Sequence, residues 1–256
     1  MKYINYTVTD QIAEISLNHA PVNALSIPML VEIVSAFKAA RDDDQVRAVI
    51  LTSALPKRFC AGLDLDILLD QTGQSVREFL DKLYIELADV QHTLGKPSIA
   101  AIDGAARAGG MTLSISCNVI IASRAATFGY PEIDVGMIPA IHFIHLPLIV
   151  GRHRAFEILF SGRVFDAQEA VALGLVSQIV EEGGALQAAR VMAQMFASKS
   201  PNVMRMGHAA FMRINDAHYR RDIGGIVDTF CAVAASSDTK EGINAFIEKR
   251  PPKWPT

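Results

Sequence analysis

The sequence predicts an α/β protein closed by an all-helical C-terminal segment. Short β-branched apolar runs alternate with stretches of helical periodicity over the first three-quarters of the chain, the pattern of a layered α/β core. After about residue 183 no strand signal remains, only helical segments near 184–198, 202–219, 222–235 and 239–248. Half of the 256 residues are hydrophobic (50%) and 20% are charged, so a packed interior is expected rather than disorder. This length fits one large domain, or a domain with a small appendage.

The elements follow in order. Ile4, Tyr6 and Val8 alternate with polar neighbours, and Ile12, Ile15 and Leu17 follow Asp10-Gln11, which reads as a β-hairpin. Residues 26–40 carry apolar side chains at helical spacing, with Ser26 as N-cap and Pro28 near the first turn. A buried strand is expected over 46–52, a long helix over 75–94, a strand over 97–102 and a helix over 110–117. Strands over 119–122 and 127–130 precede helices over 154–160 and 167–173. Asp166 with Glu169 forms a capping-box arrangement at the last of these. Residues 176–180 close the strand set, and no fixed-period repeat is visible.

Composition narrows the function classes. A net charge of −3 argues against a general nucleic-acid binder, which carries a basic face. Three cysteines, Cys60, Cys117 and Cys231, are far apart and show neither a disulfide framework nor zinc spacing, so a reducing cytoplasmic setting is expected. The N-terminus has no apolar signal-peptide core, and no apolar run is long enough to span a bilayer.

Three stretches carry chemistry. GAARAGGMT (104–112) leaves a strand through glycines and opens a helix. It lacks the Lys-Ser or Lys-Thr of a phosphate loop. Its backbone N–H groups would lie at the positive end of a helix; tight packing of the turn accounts for the glycines equally well. RFCAGLDL (58–65) also leaves a strand, and Gly62 permits close backbone approach. Two such turns, each giving one N–H to the same oxygen, would make an oxyanion hole. FGYPEIDVGMIP (128–139) sets Glu132 among apolar residues, between Pro131 and Pro139. Desolvation there would raise its pKa, as suits a general acid or base; a solvated loop carboxylate is the plainer reading.

These stretches, with Asn23-Ala24-Leu25 before them and EGINAFIEKRPPKW at the C-terminus, resemble the crotonase family, the enoyl-CoA hydratase/isomerase superfamily, over nearly the whole chain. The resemblance implies a crotonase-type spiral of ββα units over 1–195 and a helical oligomerisation region over 196–256. It implies an acyl-CoA substrate, no permanently bound cofactor (coenzyme A arrives as part of the thioester), and a homotrimer or a hexamer built of two trimers. By motif position the N–H groups of Leu63 and Gly109 would hold the thioester oxygen as it becomes an enolate. Ala20, Val22, Ala61, Leu63, Asp64, Leu65 and Gly109 would line the coenzyme A path. Glu132 would be the catalytic acid/base.

Departures from the family pattern matter for the reaction. Hydratases of this family use two glutamates; here the first position is Thr112, which is neither acid nor base near neutral pH. A lone Glu132 fits 3-enoyl-CoA to 2-enoyl-CoA isomerisation better than hydration. Hydratases have a glycine-rich segment after the PE motif, whereas Ala140–His145 reads AIHFIH, which should narrow the pocket or displace water. Asp66 stands where some hydratases carry a lysine, which leaves Lys57, Arg58 or a neighbouring subunit's Lys249 for the coenzyme A phosphates.

His142 and His145 have helical spacing but no evident third ligand, so metal binding is not expected. His142 as a second acid/base would revive hydratase, hydrolase or decarboxylase chemistry. Tyr130 could face the pocket or simply pack its ring. The Met and Phe residues at 192, 195, 196, 204, 206, 211 and 212 read as helix-packing core. A non-catalytic acyl-CoA binder is the non-enzyme alternative.

Overall fold

The computed structural model describes residues 1–69 and 73–254. β1 (Ile4–Thr9) and β2 (Ile12–Leu17) form the expected antiparallel hairpin. Asp10 and Gln11 turn it, both at positive φ (51° and 67°), as a tight hairpin connection requires. β3 (Ala24–Leu25) precedes α1 (Ile27–Asp42), where the Ser26 side chain accepts from Met29 N–H. Next come β4 (Ala48–Ser53), β5 (Arg58–Cys60), β6 (Gly62–Leu63) and α2 (Asp66–Leu69).

The helix expected over 75–94 is α3 (Gln74–Leu80), a π-helical stretch over Asp81–Glu86, and α4 (Leu87–His92). The widened stretch corrects the uniform helix; apolar spacing does not report i→i+5 bonding, and such stretches recur at functional sites. There follow β7 (Ser98–Ile102), β8 (Ala105–Arg107), α5 (Gly109–Ser116), β9 (Val119–Ser123), β10 (Thr127–Gly129) and a 3₁₀ turn over Pro131–Val135. Then come α6 (His142–Val150), α7 (Arg152–Ser161), β11 (Val164–Asp166) and α8 (Ala167–Ala172), the last capped by Asp166 accepting from Glu169 N–H at 2.8 Å. β12 (Gln178–Val180), α9 (Ala185–Ala197), α10 (Pro201–Asn215), α11 (Ala217–Ala234) and α12 (Ser237–Ile247) complete the chain.

One six-stranded sheet runs β1-β2-β4-β7-β9-β12, and a four-stranded sheet runs β11-β10-β8-β5. The first is parallel except for the hairpin, the second except for β11. The chain passes from the large sheet to the small one three times, β4 to β5, β7 to β8 and β9 to β10. This is a structural repeat with no sequence period behind it: each unit needs only one buried strand and one short strand, and many apolar residues serve.

The main core lies between the sheets and α1, α4 and α5. On the other side of the large sheet, Ala185, Ala189 and Ala193 lie four apart on α9 and pack on Ile12, Ile50, Ile99 and Ile121, so that helix belongs to the core. α11 and α12 also pack on their own chain: Phe230 meets Tyr84 edge-on at 6.2 Å, and Thr239 Oγ1 donates to Gly136 O at 2.8 Å. α10 behaves differently. Of its apolar residues Met212 is buried, but Val203, Met206, Phe211 and Ile214 are 61–72% exposed. The reading of Met195, Met206 and Phe211 as core is therefore corrected: helical spacing marks an apolar face but not what covers it.

Candidate active site

The three chemistry-bearing stretches leave three adjacent parallel strands at their C-terminal ends. β5 pairs with β8 through Cys60 and Ala106, and β8 pairs with β10 through Arg107 and Gly129. Ligands of open parallel sheets bind at this end of the strands.

The first two turns are packed on each other. Gly62 has φ +99°, and a Cβ there would sit 2.7 Å from Ala108 Cβ and 3.1 Å from Gly109 N. A Cβ on Gly110 would sit 2.5 Å from Cys60 O. Close packing thus demands glycine, and the same packing brings the two backbones together. In β6, Asp64 N–H donates to Leu25 O at 3.0 Å, so strand alternation turns Leu63 N–H away from β3. On the other turn, Met111 and Thr112 N–H both close on Ala108 O, at 2.8 and 3.2 Å. Gly109 N–H is a first-turn donor of α5 with no carbonyl inside the helix to bond. Ala108 stands at φ +49° and ψ −116°, a region costly to a residue with a Cβ, on the order of 1–3 kcal/mol.

The 20–25 segment is fastened beside them. Ala61 N–H donates to Val22 O at 3.0 Å. Asn23 is fully buried; its Nδ2 donates to Ser53 Oγ and Phe59 O at 2.9 and 2.8 Å, and its Oδ1 accepts from His19 N–H at 2.7 Å. Ala20 and Ala61 are exposed and Val22, Leu63, Asp64 and Leu65 half-buried, so the segment offers a surface a ligand can line. Asp64 also accepts from Asp66 N–H at 3.3 Å. Lys57 faces Glu182 at 3.9 Å, and Arg58 donates to Lys57 O.

Glu132 sits in the 3₁₀ turn after β10. Its Oε2 is out of water and has no hydrogen-bond partner. Burial pushes its pKa up to about 8. Two buried tyrosines, Tyr84 and Tyr130, feel its charge; burial first, then that charge, holds both well above the usual phenol value. The Tyr130 hydroxyl likewise lacks a partner. α12 props this turn from outside: a Cβ on Gly242 would sit 2.4 Å from Val135 O.

Thr112, Tyr130 and His142 come together. Thr112 Oγ1 and His142 Nε2 are 3.2 Å apart, His142 Nδ1 and His145 Nε2 are 3.2 Å apart, and the Tyr130 and His142 rings meet edge-on at 4.4 Å. Burial drives the His142 pKa well below 6.5 and that of His145 to about 4, so both rings are neutral at neutral pH. Among the described residues no group of three His, Cys, Asp or Glu has the arrangement of a metal site. Burial also pushes the thiols of Cys60 and Cys117 up to about 12, away from nucleophilic use.

Sequence reasoning missed Tyr84, Ala108 and the tethering role of Asn23. Only Asn23 left a signal, a polar residue inside an otherwise apolar motif.

A family model described as enoyl-CoA hydratase/isomerase matches residues 7–256. The chain is 33% identical to a crotonyl-CoA hydratase of Syntrophomonas wolfei, over 90% of this chain and 88% of that protein. It is 33% identical to the mitochondrial methylglutaconyl-CoA hydratase of Mus musculus, over 91% of this chain and 75% of that protein. Among solved structures, an enoyl-CoA hydratase/isomerase from Pseudoalteromonas atlantica superposes with a TM-score of 0.87 at 28% identity, covering 99% of this chain and 100% of that one.

Proposed function

This chain belongs to the enoyl-CoA hydratase/isomerase family, and within that family we propose that it moves a double bond, converting 3-enoyl-CoA to 2-enoyl-CoA. One observation carries the reading: Glu132 is half-buried with one carboxylate oxygen, Oε2, out of water and unpartnered, while the position of a second carboxylate holds Thr112, whose hydroxyl lies 3.2 Å from His142 Nε2. In this reading Leu63 N–H and Gly109 N–H hold the thioester oxygen. Glu132 removes a proton from the alpha carbon, the negative charge spreads onto the held oxygen, and the proton returns at the gamma carbon. One group gives back the proton it took, so no second carboxylate is needed. Donors fixed before reaction stabilise the developing charge, and losing one such donor costs about 10²–10³ in rate.

Hydration is the second reading. The relatives named above are hydratases, and the neutral Thr112–His142–His145 string could orient a water in place of the missing glutamate.

The oligomerisation role of the C-terminal region is part of the same proposal, and the exposed apolar residues of α10 support it. No helix among the described residues is long and apolar enough to cross a membrane.

The test sets cis-3-hexenoyl-CoA isomerisation, followed by the ultraviolet absorbance of the conjugated product, beside hydration of crotonyl-CoA. Isomerisation well above hydration is expected. Hydration equal to or above it would replace the first reading by the second. Silence in both, with acyl-CoA still bound, would leave a binder.

A further inference from the structure

A cavity of about 460 Å³ opens beyond Thr112. Its inner end is apolar, with Leu83, Leu87 and Ile141 buried in the wall. That end adjoins the proposed oxyanion turn, since a Cβ on Gly109 would sit 3.4 Å from Leu83 Cδ2. The outer end is polar. Asn118 and His218 are exposed there, and His145, Asp216 and Tyr219 are half-buried.

The outer end is also lopsided in charge. No lysine or arginine among the described residues lines the cavity, and Asp216 is its one acidic side chain. About a third of the Asp216 side chain stays open (32%), so a ligand in the cavity can reach it. Its partner is a histidine: His92 Nδ1 and Asp216 Oδ2 are 3.2 Å apart. Cations close by are committed to other carboxylates. Arg220 donates to Asp89 at 2.8 Å, and Arg221 to Asp222 at 2.7 Å. His145 adds no positive charge at neutral pH, because burial takes its pKa to about 4. Burial first, then the charges of Asp216 and Asp89, raise the Tyr219 phenol above its usual range. The Tyr219 hydroxyl is tied to Tyr84 O, and its ring stacks on His145 at 6.4 Å. A carboxylate beside aromatic rings is a setting that attracts organic cations.

We propose that this cavity selects acyl tails by the charge at their far end, taking a tail that ends in an alkylammonium group and rejecting one that ends in a carboxylate, with Asp216 as the discriminating residue. The proposal rests on the acyl-CoA reading above, which supplies the tail. Reach follows from α5, which begins at Gly109 and lines the cavity as far as Ser116. That span is about 10 Å at roughly 1.5 Å per residue. Ser116 bonds to Gln91, the chain neighbour of His92, so Asp216 stands at this depth. An extended tail advances about 1.25 Å per bond for C–C bonds near 1.5 Å, so a trimethylammonium group six bonds beyond the thioester carbon covers about 9 Å. At about 6 Å from Asp216, with an effective dielectric of about 40, one unit of charge changes binding about tenfold.

The test measures binding of saturated esters by calorimetry, so that no reaction is involved. The probes are 6-(trimethylammonio)hexanoyl-CoA, its uncharged isostere 7,7-dimethyloctanoyl-CoA, and heptanedioyl-CoA. They are compared at low salt and pH 8, above the range in which histidines ordinarily charge. The wild type should bind the cationic ester about tenfold more tightly than the isostere, with heptanedioyl-CoA weakest. Added salt should shrink these ratios. Asp216→Asn should leave the isostere within about twofold, weaken the cationic ester about tenfold and strengthen heptanedioyl-CoA about tenfold. Opposite shifts from one substitution do not arise from a change of shape. Equal or weaker binding of the cationic ester by the wild type, against its isostere, overturns the proposal whatever the variant does, even a variant that does not fold. Shifts of the same sign for both charged esters in Asp216→Asn also overturn it. If the esters rank as expected while no enoyl-CoA is turned over, the reaction reading fails and this one stands. If no ester binds, the acyl-CoA reading fails and takes this one with it.

Discussion

The pH dependence of kcat/KM separates the two readings of Glu132 by sign. A base must be ionised to take a proton, whereas a group that first delivers a proton must carry it. With its pKa near 8, Glu132 is ionised in about 10% of free enzyme molecules at pH 7 and about 90% at pH 9. Isomerisation should therefore rise about ninefold across that interval, with unit slope below pH 7. The other titratable groups of the candidate site do not confuse the profile. Tyr84 and Tyr130 are held well above 10 and stay protonated, and His142 and His145 are neutral throughout. One ionisation should appear. The assay is the initial rate with cis-3-hexenoyl-CoA far below KM, where the profile reports the free enzyme. A flat or falling profile between pH 6 and 9 would refute the argument. A fall by the same factor, seen with crotonyl-CoA, is what a proton-delivering Glu132 would produce.

Other outcomes follow from the same geometry. Glu132→Gln should abolish most turnover yet raise Tm. The native state binds more protons than the unfolded chain between pH 4.5 and about 8, so stability falls as pH rises through that window; the variant escapes up to about 3 kcal/mol of this at pH 7. Thermal melts at pH 5 and pH 8 check it, with the larger gain expected at pH 8. Gly110→Ala must push its Cβ against Cys60 O at 2.5 Å and should lose about 2 kcal/mol or more in urea unfolding. Thr112→Glu places a second carboxylate beside His142 and should raise the ratio of hydration to isomerisation at least about tenfold, read on the two substrates in parallel. Light scattering should give a trimeric or hexameric mass, because α10 leaves Val203, Met206, Phe211 and Ile214 uncovered; a monomeric mass would overturn that part.

Much of the fold was legible because period is a strong signal. The hairpin, α1, β4, β7 and the strandless C-terminal part all follow from alternation or helical spacing and their caps. β3 and β6 have two residues each, too few to show a period, and their pairing depends on the glycine turn beside them. Within the site, Glu132 was readable from its apolar and proline surroundings. The Thr112–His142 contact spans 30 residues and appears only once α5 and α6 are placed. Ala108 at positive φ leaves no trace, since the residue that marks such a conformation is glycine.

Those last cases share a cause. Ala108 is strained, and Glu132 Oε2 and the Tyr130 hydroxyl are buried without partners. Each departs from what local propensity and polar satisfaction favour, and a common substitution would relieve each: glycine at 108, glutamine at 132, phenylalanine at 130. The fold itself asks for none of them. A passive acyl-CoA binder would have no use for an unpaired carboxyl held near pKa 8, because that group weakens the native state at the pH where it is ionised. Proton transfer to and from carbon does have such a use, since it needs a base that is strong, dry and free of competing donors. The unsatisfied atoms therefore support an enzyme over a binder, and the count of carboxylates, one rather than two, supports double-bond migration over hydration.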